Sequence, residues 1–162
     1  MGRVVKVGYS RAAGGLPPGP NEMRAPGPPG AEGAASAMAM STMHIEIPAA
    51  GAYLSVVRAA ATGLAAQLQF TYEEIDDLRI AVDEACAQLL ARRGSAATLR
   101  IDYQLEPAEL LVEVSVEAPD RGERLERDTF AWQILTALTD DVTERAEADG
   151  LHLSFRKCGG RR

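Results

Sequence analysis

The apolar positions after residue 43 follow first the period of a strand and then the period of a helix. His44-Ile-Glu-Ile47 alternates and is followed by a proline, which predicts a short edge strand. Leu54 to Leu68 has apolar residues at helical spacing and predicts a first helix of roughly five turns. Thr71-Tyr-Glu-Glu74 is a capping-box pattern that opens a second helix, and Arg92-Arg-Gly94 is expected to end it.

The second half of the chain alternates between strand and helix patterns. Two segments of alternating apolar and polar residues come first and predict two strands. A short apolar helix is predicted to begin at Phe130. Two further alternating segments, on either side of the turn pair Asp149-Gly150, predict a hairpin. The four predicted strands are Thr98–Leu105, Leu110–Ala118, Val142–Glu147 and Leu151–Lys157. The order β-α-α-β-β-α-β-β predicts an α/β sandwich, with helices on one face of a mixed, mainly antiparallel sheet.

The first 40 residues have a different composition, with 14 glycines and prolines. Such a segment buries too little surface to offset its ordering entropy, so we expect residues 1–40 to be a disordered tail. Two alternatives stay open. Translation can begin downstream, at Met38, Met40 or Met43, or the proline-rich part can be a polyproline II ligand.

The charge of the chain excludes some classes of partner. After residue 40 there are 13 basic and 21 acidic residues, a net charge of −8, which argues against direct binding to nucleic acid and suits a partner with a basic surface. No apolar run is long enough to span a membrane, and no secretory signal is recognisable. The two cysteines, Cys86 and Cys158, form no metal-binding pattern. We therefore expect a cytoplasmic protein.

The second predicted helix carries the most informative polar pair. Glu84 and Gln88 are four residues apart, so both side chains lie on one helix face, about one turn from each other. An acid and an amide in this arrangement can serve a metal–phosphate ligand. By spacing alone, a solvated polar stripe on an amphipathic helix is the favoured explanation of the pair.

Residues 45–90 and the end of the chain resemble a known family. The segments Tyr53-Leu-Ser-Val-Val-Arg58, Tyr72 to Cys86 and Gly150-Leu-His-Leu-Ser-Phe-Arg156 are similar to RsbW-type anti-sigma factors, which are serine-protein kinases with the GHKL (Bergerat) ATP-binding fold. The segment Phe130 to Val142 resembles actinobacterial UsfX-like regulators of sigma-F. The resemblance implies a histidine-kinase-like ATPase domain of RsbW type over residues 43–158.

The resemblance also implies site residues. Glu84 matches the general base that activates a serine hydroxyl of a substrate protein. Gln88 matches an asparagine that helps to hold Mg²⁺, so it is the candidate metal and cofactor ligand. Asp120 and Gly122 match the first part of an Asp-x-Gly-x-Gly turn that binds the adenine of ATP.

Three departures from the family pattern predict a degenerate nucleotide site. Gln88 is one methylene longer than asparagine, and Arg124 stands where the second glycine of the adenine turn is expected. The Gly-x-Gly-Leu element before the third helix is absent, because Asp128-Thr-Phe-Ala-Trp132 occupies its place. On the residues alone, Asp120-Arg-Gly122 is also explained as a solvated charged turn, and Trp132 as a packing residue of the third helix.

Two functions follow from the resemblance. The first is an anti-sigma factor that sequesters an alternative sigma factor of the sigma-B or sigma-F type and is released by an anti-anti-sigma (STAS) protein. The second is an active kinase that uses ATP and Mg²⁺ to phosphorylate a serine of that anti-anti-sigma protein. A dimerisation domain without either activity is a third reading. The family implies a homodimer and a role in transcription during stress responses, and the predicted N-terminal edge strand is a candidate for the dimer contact.

Overall fold

A computed structural model of the protein describes residues 6–11, 41–92, 97–117, 125–147 and 149–160. Six strands form one sheet in the order β1-β2-β3-β4-β6-β5, and every neighbouring pair is antiparallel. The strands are β1 Lys6–Arg11, β2 Ser41–Pro48, β3 Thr98–Glu106, β4 Glu109–Val116, β5 Asp141–Glu147 and β6 Gly150–Cys158.

Three α-helices complete the described fold: α1 Leu54–Gln67, preceded by a 3₁₀ turn at Gly51–Tyr53, α2 Tyr72–Ala91 and α3 Phe130–Leu138. The helices cover one face of the sheet, so the architecture is the α/β sandwich of GHKL type that the sequence predicts. The first helix has 14 residues, about four turns, and is shorter than predicted.

The core forms between the helices and the inward-facing half of each central strand. In β3 and β4 every second residue is buried, because successive side chains of a strand point to opposite faces. Register places Ile101 beside Ile45 and Val114, and Tyr103 beside Val112. Tyr103 is fully buried and donates a hydrogen bond from its hydroxyl to the carbonyl oxygen of Val57 in α1, at 2.9 Å. This bond ties α1 to the sheet.

The N-terminal strand corrects the sequence analysis. The composition predicts a disordered tail that includes Lys6–Arg11, but these six residues form β1 and pair with β2. The prediction of disorder is therefore wrong for them, while residues 12–40 lie outside the described part of the chain. As a consequence β2, which was expected to be the sheet edge, has a neighbour on both sides. The pattern of β1 is too short, and too far in sequence from β2, to be recognised as a strand.

The opposite face of the sheet, which we call the open face, carries polar and charged side chains. The His44 ring and the Asp102 carboxylate form a hydrogen bond across β2 and β3. Arg145 reaches Glu113 at 2.7 Å and Glu147 at 3.4 Å. Acidic residues outnumber basic ones among the residues that pair there. Each exposed pair contributes little to stability, so the open face is defined by its charge rather than by its packing.

Candidate functional site

The polar pair of α2 is positioned by a well-defined helix start and a buried helix face. The Thr71 hydroxyl accepts a hydrogen bond from the Glu74 backbone at 3.2 Å, and the Glu74 carboxylate accepts one from the Thr71 backbone at 2.7 Å. This reciprocal capping box confirms the predicted helix start. Apolar residues along α2 are fully buried against the sheet and the other helices: Leu78, Ala81, Val82, Ala85, Cys86 and Leu89. They fix the rotation of the helix about its axis.

Glu84 and Gln88 contact each other on the half-buried side of this helix. The Gln88 side-chain amide Nε2 donates to Glu84 Oε1 at 3.0 Å. This contact leaves the amide oxygen of Gln88 as the atom available to a cation, and carboxylate and amide oxygens are ligands that Mg²⁺ prefers. The donor chemistry of the pair therefore fits a magnesium ion that takes its remaining ligands from phosphate and water. The structure brings together the two residues that spacing placed on one face.

A second acidic residue of α2 faces a different neighbour. Both side-chain oxygens of Asp83 accept hydrogen bonds from Arg58 Nη1 of α1, at 3.0 and 3.1 Å. The ion pair is about 40% exposed. The neighbouring Cys86 thiol is buried, and burial followed by the Asp83 charge raises its pKa to about 12. Sequence analysis missed the Arg58–Asp83 link, because the two residues lie 25 positions apart.

A lysine of β6 bridges α2 and the end of α3 by two hydrogen bonds. Lys157 Nζ donates to Asp77 Oδ2 and to the carbonyl oxygen of Leu138, both at 2.8 Å. Asp77 lies seven residues before Glu84, about two helical turns, so it is on the same side of α2. The Lys157 side chain is only 11% exposed. This contact anchors the C-terminal end of α3 near the helix face that carries Glu84.

The predicted adenine turn, with Asp120, Gly122 and Arg124, lies outside the described residues. The first described residue after this turn is Leu125, and its backbone N–H donates to Glu144 Oε1 of β5 at 2.7 Å. The other carboxylate oxygen of Glu144 is buried without a hydrogen-bond partner among the described residues. Glu144 therefore holds the backbone of Leu125, the first described residue after the candidate adenine ligands in sequence. Sequence analysis gave no signal for this contact.

Trp132, the only tryptophan of the chain, is a half-buried residue of α3. It packs against the core, as predicted, with the Arg127 guanidinium 5.1 Å from its ring centroid.

Two cavities, of about 710 and 520 Å³, lie elsewhere, on the open face of the sheet. Residues such as Arg100 and Asp102 line the first, and Glu113 and Arg156 line the second. Neither is lined by Glu84 or Gln88, so cavity volume does not mark the predicted site.

Known proteins identify the family. A serine-protein kinase RsbW of Listeria innocua is 31% identical over 121 residues, which cover 70% of this chain and 74% of the relative. The chain belongs to the RsbW family. Anti-sigma-F factor RsbW of Mycobacterium tuberculosis is 40% identical over 77 residues, or 44% of this chain and 45% of the relative. A serine-protein kinase RsbW of Halalkalibacterium halodurans is 29% identical over 90 residues, or 55% and 53%.

The matches differ in how much of each relative they cover. The chain spans about half the length of the Mycobacterium tuberculosis and Halalkalibacterium halodurans relatives that it matches. No family model matches the chain. Membership of the RsbW family is thus established by the longer Listeria innocua match. Among the described helices, none combines the length and the apolar character required to cross a membrane.

Proposed function

We propose that this protein is an anti-sigma factor that sequesters an alternative RNA polymerase sigma factor, of the sigma-B or sigma-F type, and is released by an anti-anti-sigma protein of the STAS class. The observation that carries the proposal is the 40% identity to the protein named anti-sigma-F factor RsbW. The described fold supports it, because the described strands form one sheet and the described helices pack on it. A binding function requires a surface, and it requires no glycine-rich phosphate loop.

The electrostatics of the domain support a protein partner with a basic surface. Residues 41–162 carry a net charge of −8, and acidic groups prevail among the pairing residues of the open face. DNA-binding segments of a sigma factor are rich in basic residues, since they contact phosphates. Complementary charge accelerates encounter and disfavours wrong partners more than it adds affinity. Direct binding of this acidic domain to nucleic acid is disfavoured for the same reason.

Kinase activity is the second candidate, and the contact between Glu84 and Gln88 favours it. When bound, Mg-ATP supplies the phosphoryl group. Glu84 would accept the proton of a serine hydroxyl on the anti-anti-sigma protein, and the Gln88 amide oxygen would hold Mg²⁺. Asp120 and Gly122 would contact the adenine. The longer Gln88 side chain and the missing glycines weaken this site, so we propose that sequestration is the main activity.

The family membership supports three further proposals. The protein acts as a homodimer, and it acts in the cytoplasm, where the sigma factor and RNA polymerase are found. Its biological role is then the regulation of transcription during a stress response.

In vitro transcription tests the anti-sigma function with one pair of variants. The full chain should inhibit transcription that depends on a sigma-F- or sigma-B-type factor of the same organism. Glu84→Gln removes the candidate base while it keeps shape and hydrogen bonding, and it should leave inhibition unchanged. Asp76→Asn, an exposed change on the same helix, is the matched control. Absence of inhibition by the unmodified chain would contradict the anti-sigma proposal.

The kinase candidate needs a separate readout. Radiolabelled ATP, Mg²⁺ and a STAS-class protein with a phosphorylatable serine should give little or no labelled product with the unmodified chain. Efficient labelling that Glu84→Gln abolishes and Asp76→Asn preserves would make the protein an active kinase. That result would overturn the proposed degeneracy of the nucleotide site and leave sequestration intact.

A further inference from the structure

The third helix is apolar on all sides, yet it is poorly buried. Seven of the nine residues of α3, Phe130–Leu138, are apolar, and the other two are Gln133 and Thr136. A helix with apolar residues around its whole circumference is normally buried. In α3, however, only Leu135 is fully buried. α3 therefore presents apolar surface that the described elements of the fold leave uncovered.

The uncovered apolar residues form one stripe along the helix. Phe130, Ile134 and Ala137 are separated by four and three positions, so their side chains lie on the same helix face. Phe130 is 77% exposed, Ala137 is exposed and Ile134 is half-buried. This spacing is the one through which an amphipathic helix contacts a partner. We call these three residues the α3 stripe.

α3 is held at both ends, so the orientation of the stripe is fixed. At the start of the helix the Thr129 hydroxyl accepts a hydrogen bond from the Trp132 backbone N–H, at 3.2 Å. At its end Lys157 Nζ donates to the Leu138 carbonyl oxygen, at 2.8 Å. Leu135 anchors the middle of the helix in the core. A surface on a rigid helix loses little conformational freedom when a partner binds, which favours its use as a binding surface.

Acidic residues at both ends of the stripe determine which partner fits it. Glu126 and Asp128 precede α3 and Asp140 follows it, and all three are exposed. The one basic residue between positions 126 and 140 is Arg127, whose guanidinium lies over the Trp132 ring. Complementary charge selects between partners more than it adds affinity. The stripe and its acidic ends therefore fit a helix that combines apolar residues with lysine and arginine.

A second copy of α3 does not fit in this way. Antiparallel packing of two stripes sets Glu126 and Asp128 of one copy near Asp140 of the other, and parallel packing sets each acid near its own equivalent. Like charges repel in both arrangements. The two longest undescribed segments of the chain also lack the composition of such a helix. Residues 12–40 contain a single basic residue, and residues 118–124 contain no large apolar residue.

We propose that the α3 stripe is the docking surface for a basic amphipathic helix of the sigma factor. This inference rests on the anti-sigma function proposed above, and it names the surface and the chemistry of the contact. Helices that contact DNA carry lysine and arginine for the phosphates. Such a helix packs its apolar residues against Phe130 and sets its cations near Glu126 and Asp128. Docking thus covers residues with which the sigma factor contacts DNA, and this prevents promoter binding.

Titration calorimetry of the full chain with a sigma-F- or sigma-B-type factor of the same organism tests the apolar part of the contact. Phe130→Ala removes the large aromatic side chain, and Ala137→Arg adds bulk and a charge of the same sign as the partner. Each should raise the Kd for the sigma factor at least about tenfold. The matched controls are Tyr72→Ala, at a tyrosine of α2 that is 83% exposed, and Ala66→Arg, at an exposed position of α1. Both should leave the Kd unchanged.

Thermal unfolding checks that each of these variants is folded. The four substituted side chains are exposed, so every variant should keep a Tm close to that of the unmodified chain.

Two pairs of charge changes test the electrostatic part of the contact. Glu126→Gln with Asp128→Asn removes two negative charges beside the stripe, and Glu73→Gln with Asp76→Asn removes two from α2. Surface plasmon resonance measures the association rate with the sigma factor at low and high salt. The first pair should slow association several-fold at low salt and have little effect at high salt, because salt screens exposed charges. An equal effect of both pairs would contradict the selection of the partner by the acidic ends of the stripe.

Other outcomes overturn the inference in distinguishable ways. If the unmodified chain, Phe130→Ala and Ala137→Arg bind the sigma factor with the same Kd, the docking surface is wrong and the anti-sigma function stands. Absence of sigma-factor binding by the unmodified chain would overturn both. If Phe130→Ala loses binding to a STAS-class protein and keeps binding to the sigma factor, the stripe serves another partner. A dimer that Phe130→Ala dissociates in sedimentation equilibrium would make a second copy the occupant.

Discussion

Lys157 Nζ lies 2.8 Å from Asp77 Oδ2 and joins the last strand to the second helix across 80 positions of the sequence. The same ammonium group donates to the Leu138 carbonyl oxygen at the end of α3. The Lys157 ammonium group thus links α2, the helix that carries Glu84, to the C-terminal end of α3. It satisfies a helix C-terminus, where carbonyl groups have no partner within the helix.

Replacement of this lysine should destabilise the protein. Lys157→Met keeps the aliphatic volume and leaves Asp77 and the Leu138 carbonyl without their donor, at a cost of about 1–3 kcal/mol in the free energy of unfolding. Urea denaturation measures the change. Arg79→Met is the matched control, since its ion pair with Asp76 is about half exposed and should contribute less than about 1 kcal/mol. An equal loss for both variants would contradict the anchoring role of Lys157.

Substitution of two glycines by alanine should change the stability of the protein in opposite directions. Gly150 has φ +152°, and a Cβ atom there would lie 2.1 Å from the Val116 carbonyl oxygen. Gly150→Ala should therefore destabilise the fold by about 3 kcal/mol, from backbone strain and steric overlap. Gly63 lies in α1 with open space around it, and Gly63→Ala should stabilise by about 0.5–1 kcal/mol, because alanine favours the helix. Thermal unfolding of both variants measures the signs, and a tolerated Gly150→Ala would refute the close approach.

Stability should fall at alkaline pH. Burial raises the pKa of the Cys86 thiol to about 12 from 9.0, so above pH 9 the unfolded chain loses a proton that the folded protein keeps. The stabilisation that the protonated Cys86 thiol provides is complete below pH 9 and is lost as pH rises towards 12. The free energy of unfolding then falls by up to about 1.4 kcal/mol per pH unit. Cys86→Ala should flatten the slope between pH 9 and 10. Tyr103, whose pKa burial also raises, begins to contribute above pH 10. Urea titrations at each pH measure the slope, and an unchanged slope in Cys86→Ala would contradict this assignment.

The length of the residue at position 88 should control nucleotide affinity. Gln88→Asn shortens the side chain by one methylene and restores the residue type of the family pattern. If the site is only weakened, affinity for Mg-ATP should rise about tenfold, which corresponds to 1.4 kcal/mol. Isothermal titration with and without Mg²⁺ measures it.

The corresponding control for that experiment is Gln67→Asn, at the C-terminal end of α1, which makes the same chemical change away from Glu84. Its affinity for Mg-ATP should equal that of the unmodified chain. A Gln88→Asn protein with no gain in affinity would indicate that residues other than position 88 limit binding.

Much of the fold could be predicted from the order of local patterns. The capping box at Thr71, the hairpin at Asp149-Gly150 and the alternation in β3 and β4 are all present where predicted. These features are local, since each depends on residues a few positions apart. β1 was missed because a six-residue strand is specified by its partner rather than by its own pattern.

Some contacts of the candidate site could likewise be predicted from local spacing, and others could not. Helical spacing alone placed Glu84 beside Gln88, and the structure places their side chains 3.0 Å apart. No spacing rule could pair Lys157 with Asp77 or Arg58 with Asp83, because those contacts exist only after the helices pack on the sheet. The sequence by itself determined which helix carries the acid and the amide, through the 3.6-residue period. Only the tertiary structure decided that the β2 edge is covered by the chain's own N-terminal strand, since strand pairing is set by long-range backbone hydrogen bonds.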